Sequence, residues 1–254
     1  MDGMINSLRN SGKIQAFLIH LGISAGVVGL LVLLMLTQWY PQPWFSHDGG
    51  WHVFRLILLV DVVLGPTLTL VVFRRGKPKL QRDLSIIVSV QVAALAYGAV
   101  LMFLYRPVFL VYAENNFFSL PWPEVKQGTL DIGRIEPMAG SRGPAPVMLS
   151  LPKDAAARAR ILADTNRPGG PMLTTLGDYY EPMKPESWQG VFNRGVNIER
   201  QAAEDPDIKR EFERFRTGNS QPLETLAFVP AICRYGVIML VFDRKTNALV
   251  GWLN

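Results

Sequence analysis

Three apolar stretches of membrane-crossing length dominate the first hundred residues and constrain the fold more than any motif does. They run from Ile14 to about Thr37, from Trp51 to Phe73 and from Leu84 to Leu104. Each holds about 20 residues or slightly more, which at ~1.5 Å per residue crosses a hydrocarbon core of about 30 Å. A buried core helix of that length would need an unusually large soluble fold around it. The first stretch is too long for the apolar region of a signal peptide, and no small-residue cleavage site follows it. It is expected to remain as an anchor.

Orientation follows from Lys and Arg in the short flanks. Arg9 and Lys13 precede the first stretch, and the loop "RRGKPKLQRD" carries Arg74, Arg75, Lys77, Lys79 and Arg82. The loop "QWYPQPWFSHDGG" carries no Lys or Arg. Residues 1–13 and the basic loop are therefore expected in the cytoplasm. The first loop and residues 105–254 belong outside, which in a bacterial inner membrane is the periplasm. Trp39, Tyr40, Trp44, Phe45 and Trp51 suit the outer interface, where amphipathic rings prefer the headgroup level.

Charge separates the two parts. Residues 1–104 hold eight Lys and Arg against four Asp and Glu, a net +4, whereas the remainder is nearly balanced at +1. The basic excess flanks the apolar stretches and points to anionic lipid headgroups of the inner membrane rather than nucleic acid. Cys233 is the only cysteine, so no internal disulfide forms, and it reads as a small core residue. Histidines occur only at positions 20, 47 and 52, which disfavours a histidine-based metal site, and no cofactor is implied.

Asp61 stands out in "FRLILLVDVVLGP", near mid-depth of the second stretch. A lipid-facing carboxylate there costs at least ~2.5–3.5 kcal/mol on insertion scales. Protonation, pairing inside the bundle, or pairing with a partner's helix would remove that cost. Arg55, six residues earlier, is expected to snorkel outward. His20 and Gln91, counted from the inner ends of their helices, are expected nearer the cytoplasmic third and to pair with each other more easily than with Asp61. Pro66 removes a donor and frees the carbonyl of Val62, while Gly65 permits close approach. The spot is expected to bend and to face protein. Small residues four apart, Gly22/Gly26 on the first helix and Ser89/Ala93 and Ala94/Gly98 on the third, suit helix packing within the chain or against another protein.

Residues 105–254 read as a small α+β domain, a sheet carrying one or two helices. Strands are expected at 108–112, 225–231, 235–243 and 248–253, the last two forming a hairpin about "DRKTN". The apolar run from Tyr235 to Phe242 predicts a central strand covered on both faces. Helices are expected from about Pro152 to Ala163, and from Pro206, capped by Asp205 and stopped by Gly218. A Gly- and Pro-rich loop is expected over 133–146. The chain contains no G-x-S-x-G, Walker-type loop or H-E-x-x-H, and no histidine after His52. Asp178 and Glu181 in "GDYYEP" are best explained by an exposed turn. No catalytic residue is assigned.

Taken together, "KIQAFLIHLGIS", "WYPQPWFSHDGGW", "VFRLILLVDVVLGPTLTLVVF" with "GKP", "LAYG" and "RPVFLVYAENNF" resemble the type IV pilin accessory proteins of the TfpX/TfpZ family. The resemblance covers residues 13–118 and continues more loosely to the final hairpin. It implies an inner-membrane protein, not an enzyme, that assists type IV pilus biogenesis beside a major pilin or a component of the pilus machinery. Asp61, Gly65 and Pro66 then become candidates for docking a partner helix, with Arg55, His20 and Gln91 as secondary candidates. Two other readings stay open. A membrane-anchored enzyme modifying pilin or envelope glycan predicts a pocket with converging carboxylates in residues 105–254. A transporter or sensor subunit predicts Asp61 and His20 in one cavity, which their expected difference in depth disfavours.

Overall fold

A computed structural model of the chain describes residues 2–74, 78–125 and 132–254. Arg75 and Lys77 of the basic loop lie outside the described residues, as does the side chain of Arg9. Helix α1 runs over Asp2–Leu34 and continues as a π turn over Met35–Trp39. Helix α2 spans Gly50–Val72 and α3 spans Leu80–Leu104. Among the described residues, the segments Gly12–Trp39, Gly50–Val72 and Leu80–Leu104 are long and apolar enough to cross a membrane. Their outward faces are apolar, as Leu18, Ile23, Leu30, Val71 and Val90 illustrate, each more than half exposed. A bundle built for water would turn such side chains inward.

Helix α2 packs against α3 along its length and against α1 from Leu58 to Val72. It is not one uniform helix. An α segment over Gly50–Ile57 gives way to a π segment over Leu58–Leu64, then to an α segment over Gly65–Val72 with Pro66 in its first turn. The break coincides with Asp61 and Pro66, where the chain was expected to bend.

The remaining chain forms a mixed sheet of seven described strands in the order β4-β3-β1-β2-β5-β6-β7. These are β1 (Pro107–Ala113), β2 (Asn116–Pro121), β3 (Ala145–Leu149), β4 (Tyr180–Pro182), β5 (Leu226–Cys233), β6 (Gly236–Asp243) and β7 (Leu249–Leu253). Neighbours pair antiparallel except β1 with β3 and β2 with β5, which run parallel. Glu114 and Asn115 both take positive φ, which closes the tight β1–β2 hairpin. Helices α4 (Ala155–Asn166), α5 (Pro185–Asn193), α6 (Ile198–Glu204) and α7 (Pro206–Gly218) lie between β3 and β5.

The helix at 206–218 has the ends expected of it. The Asp205 carboxylate accepts from the amides of Asp207 and Ile208, and Ile208, Phe212 and Phe215 pack on the sheet around Phe228 and Val241. Three expectations need correction. Among the described residues the domain carries these four helices and a single turn at Ile132–Ile135 rather than one or two helices, because α5 and α6 are too short and mixed in polarity to announce themselves. The Gly- and Pro-rich stretch ends in strand β3, which pairs with β1 on one side and β4 on the other. The most enclosed strand is β1, buried at all seven positions, whereas β6 is next to the edge and exposed at Gly236 and Val237.

On one face, α5 places Trp188, Val191 and Phe192 against Phe117, Leu240 and Phe242. Trp44, from the loop between α1 and α2, joins this same core. The membrane-type helices and the sheet domain therefore share packed residues.

Candidate functional site

Asp61 sits on the π segment of α2 and is 5 % exposed, although it lies on an apolar bundle. The backbone explains part of its surroundings. The amide of Gly65 donates to the carbonyl of Val60, five residues back. In that register, the acceptor left without a donor by Pro66 is the carbonyl of Asp61, not that of Val62. Gln91 of α3 supplies the replacement: its Nε2 donates to the Asp61 carbonyl at 3.4 Å. A π turn at such a place spaces backbone groups that an α helix would close.

Gly65 makes room for this contact. A Cβ built on Gly65 would lie 1.9 Å from Gln91 Nε2 and 2.4 Å from its Cδ. Its φ of −61° is ordinary, so the requirement is steric rather than conformational. One turn further, Thr69 Oγ1 meets His20 Nδ1 of α1 at 2.6 Å. Asp61, Gly65 and Thr69 thus line one face of α2, fixed to α3 above and to α1 below.

Asp61 and Thr69, with His20 and Gln91, border a cavity of about 470 Å³ between α1 and α3, floored by α2. His20, Ser24, Asp61, Thr69 and Gln91 contribute its polar atoms, among apolar side chains such as Ile23 and Val88. Asp61 Oδ2 and Gln91 Oε1 are both buried and find no hydrogen-bond partner among the described residues. Two buried acceptors without donors are unusual enough to ask what satisfies them.

The expected depth of Gln91 is corrected here. It lies eleven residues from Leu80, as Asp61 does from Val72, so the antiparallel helices bring them level. His20 pairs with Thr69 instead of Gln91, and it lines the same cavity as Asp61. Arg55 is exposed and lies over the Trp51 ring at 5.0 Å, away from the cavity. Gly98 packs on Ile57, 3.3 Å from where its Cβ would be, whereas added Cβ atoms at Gly22 and Gly26 would meet nothing within 4 Å. Those two glycines face outward, since α1 turns its Ser24–Val28 side towards α2.

Sequence reasoning passed over Thr69 and Ser24. The signal was present: Asp61, Gly65 and Thr69 follow at intervals of four, as do His20 and Ser24, which places each set along one helix stripe.

A second polar cluster fixes the sheet domain to the helices. Asp48, 6 % exposed, accepts from Ser119 Oγ of β2 at 2.8 Å and from the Arg234 amide at 3.1 Å. The Tyr235 amide donates to the His47 carbonyl at 2.9 Å, and the Tyr235 ring stacks on His52 with centroids 4.2 Å apart. Gly49 adopts φ +94°, and a Cβ there would reach within 2.9 Å of the Tyr235 ring. The Arg234 guanidinium pairs with Glu124. The Tyr40 hydroxyl donates to the Met102 carbonyl at 3.1 Å, closing the end of the bundle nearest the sheet domain. "HDGG" is thus the joint between the first loop and the β5–β6 turn. Burial pushes the Asp48 carboxyl above the usual carboxylate range, against the lowering pull of the Arg234 amide and Ser119. Burial, then the nearby Asp48 charge, also pushes up the Cys233 thiol.

In the sheet domain, Arg134, Lys153, Asp178 and Glu181 border a cavity of about 480 Å³. Arg134 donates to the carbonyls of Gly177, Asp178 and Tyr180, so it holds the strand β4 approach in place. Tyr180 itself is wholly buried, and Glu181 is exposed. "GDYYEP" is therefore a turn running into an edge strand.

No family model matches the chain, and no solved structure matches it. Three curated proteins of Dichelobacter nodosus are similar to it. The fimbrial assembly protein of serogroup I is 36 % identical over 97 residues, 37 % of this chain and 37 % of that one. That of serogroup E1 is 34 % identical over 101 residues, 39 % of each. The fimbrial assembly protein of serogroups C1 and C2 is 36 % identical over 101 residues, 39 % of this chain and 76 % of the relative. The matches thus span little more than a third of the first two of these relatives, and about three quarters of the third. With identity at that level across most of a relative's length, the chain belongs to the family of fimbrial assembly proteins.

Proposed function

We propose that this chain is an inner-membrane accessory factor for type IV pilus biogenesis, of the TfpX/TfpZ kind, acting by contact rather than catalysis. Its amino terminus faces the cytoplasm, helices α1 to α3 cross the bilayer, and residues 105–254 lie in the periplasm. The basic flanks, bound to anionic inner-membrane lipids, set this orientation. Before assembly, a type IV pilin rests in the same membrane by one apolar amino-terminal helix with its head outside. The bundle meets that helix at the face of Asp61, Gly65 and Pro66, and the sheet domain meets the head or another component of the pilus machinery.

The observation that carries this reading is the joint. Asp48 and Tyr235 tie the sheet domain to the outer ends of the helices, and Trp44 enters the sheet's own core. An intramembrane surface and an extramembrane surface are thereby held at a fixed spacing, as a protein gripping both parts of a pilin requires. The test is a strain lacking the protein, complemented by the full chain or by residues 1–104. Loss of surface fimbriae, restored by the full chain alone, is expected. Normal fimbriation in the deletion strain would remove the role.

A further inference from the structure

We propose that the groove between α1 and α3 seats a fourth membrane helix, that of the pilus subunit, which presents a hydrogen-bond donor at the depth of Asp61. The inference rests on the pilus-assembly reading for the identity of the occupant, but its chemistry follows from the groove.

The acceptors come first. Asp61 Oδ2 and Gln91 Oε1 are buried and unpartnered among the described residues, in side chains only 5 % and 8 % exposed. Leaving such groups unmet costs about 1–3 kcal/mol each. Both side chains border the same cavity, so a donor seated there needs only a small rotation of either to meet its oxygen. The backbone has already been rearranged to present them: the π segment, Pro66 and Gly65 together bring Gln91 beside Asp61.

The shape comes second. The lining runs from Ala16 to Val28 on α1 and from Leu84 to Leu95 on α3. Those stretches are about 17–18 Å long at ~1.5 Å per residue, roughly three helical turns. α2 packs on both walls and forms the floor. Ile23 and Val88 on the two walls are apolar and 63 % and 49 % exposed, so the rim favours an apolar helix with one polar group.

Other occupants match less well. A lipid chain fits the apolar rim but brings no donor. A second copy docked by twofold symmetry through this groove sets Asp61 against Asp61, acceptor against acceptor. A pilus subunit's helix carrying an amine, hydroxyl or amide N–H meets both requirements.

The experiment uses the full chain in membranes that also contain the full-length pilus subunit. A photoreactive residue replaces Ile23 or Val88 in the groove, or Leu68 on an outward face of α2 as a control. Cross-links to the subunit are expected from both groove positions and not from Leu68. Asp61→Asn retains shape and offers Gln91 Oε1 an internal donor. It is expected to lower the cross-link about three- to eighteenfold, the range for one interhelical hydrogen bond. Val88→Trp, which fills the groove without touching Asp61, is expected to lower the cross-link from Ile23 by at least as much. Protein abundance and the Leu68 background establish that each variant is folded.

Cross-links to the subunit that persist undiminished in Asp61→Asn would overturn the donor requirement. Cross-links only to lipid, or only to a second copy, would overturn the choice of occupant. In either case the deletion strain decides the wider reading separately. If it lacks fimbriae, the pilus role stands and the groove proposal alone falls.

Discussion

Replacing Gly65 by alanine tests the link between α2 and α3 most sharply. The added methyl would sit 1.9 Å from Gln91 Nε2 and 2.4 Å from Cδ, well inside contact distance. Gln91 must swing away, because the obstacle on the other side is helix backbone. Two costs then combine. Forcing a methyl into a packed site typically costs ~1–3 kcal/mol. Losing the Gln91–Asp61 bond costs about 0.6 kcal/mol on average for interhelical bonds, up to ~1.7. Gly65→Ala should therefore destabilise the bundle by about 2–4 kcal/mol in denaturant titration of the detergent-solubilised chain. Gln91→Ala removes the obstructing side chain and should cost only ~1 kcal/mol alone. In the double variant, the Gly65→Ala penalty should shrink by about 1–3 kcal/mol, a coupling that a four-state cycle measures directly. If the two substitutions add without coupling, Gly65 does not make room for Gln91 and the description of the site is wrong.

Further outcomes follow from the joint and the sheet domain. Burial raises the Asp48 carboxyl, so the folded chain holds that proton more tightly than the unfolded chain does. Its stabilising contribution is full below the unfolded value of about 3.9 and is lost as pH rises through the higher folded value. Unfolding measured across that window should show stability falling with pH, and Asp48→Asn should flatten the slope. Asp205→Ala removes the cap from Asp207 and Ile208 and should cost about 0.5–2 kcal/mol, whereas Asp205→Asn should cost far less. Cys233 is buried with a raised thiol, so it should resist maleimide until the domain is unfolded.

Much of this architecture was legible because it rests on strong local signals. Twenty-residue apolar runs, a "DP" helix start ended by Gly218, and a hairpin about "DRKTN" each report one element with little help from the rest of the chain. What escaped depends on contacts between distant segments. "PESWQGVFN" becomes α5 because Trp188, Val191 and Phe192 find Phe117 and Phe242, more than forty residues away on either side. Strand β3 exists because β1 and β4 offer it partners, while its own Pro146 argues locally against a ladder.

The polar site divides the same way. A lone aspartate in an apolar run announced a constrained place, and Gly65 with Pro66 announced a bend. That Gln91 stands level with Asp61 depends on the relative stagger of two helices, which the described loop residues between them do not encode. The π register, which shifts the freed carbonyl from Val62 to Asp61, likewise arises from how α2 packs. Locally, "HDGG" reads only as part of a loop without Lys or Arg and of the family resemblance. Its physical reason emerged only when Tyr235, nearly two hundred residues later, lay against Gly49.

The most direct test of the account is sidedness. Lys245 beside the last hairpin and Arg74 beside the basic loop are both exposed, and buried Cys233 provides a silent background. Lys245→Cys and Arg74→Cys are each treated with a membrane-impermeant maleimide in cells whose outer membrane alone is opened. The account predicts rapid labelling at position 245, and labelling at 74 only after the inner membrane is broken. Labelling at 74 with protection at 245 would place the sheet domain in the cytosol, out of reach of any pilin head.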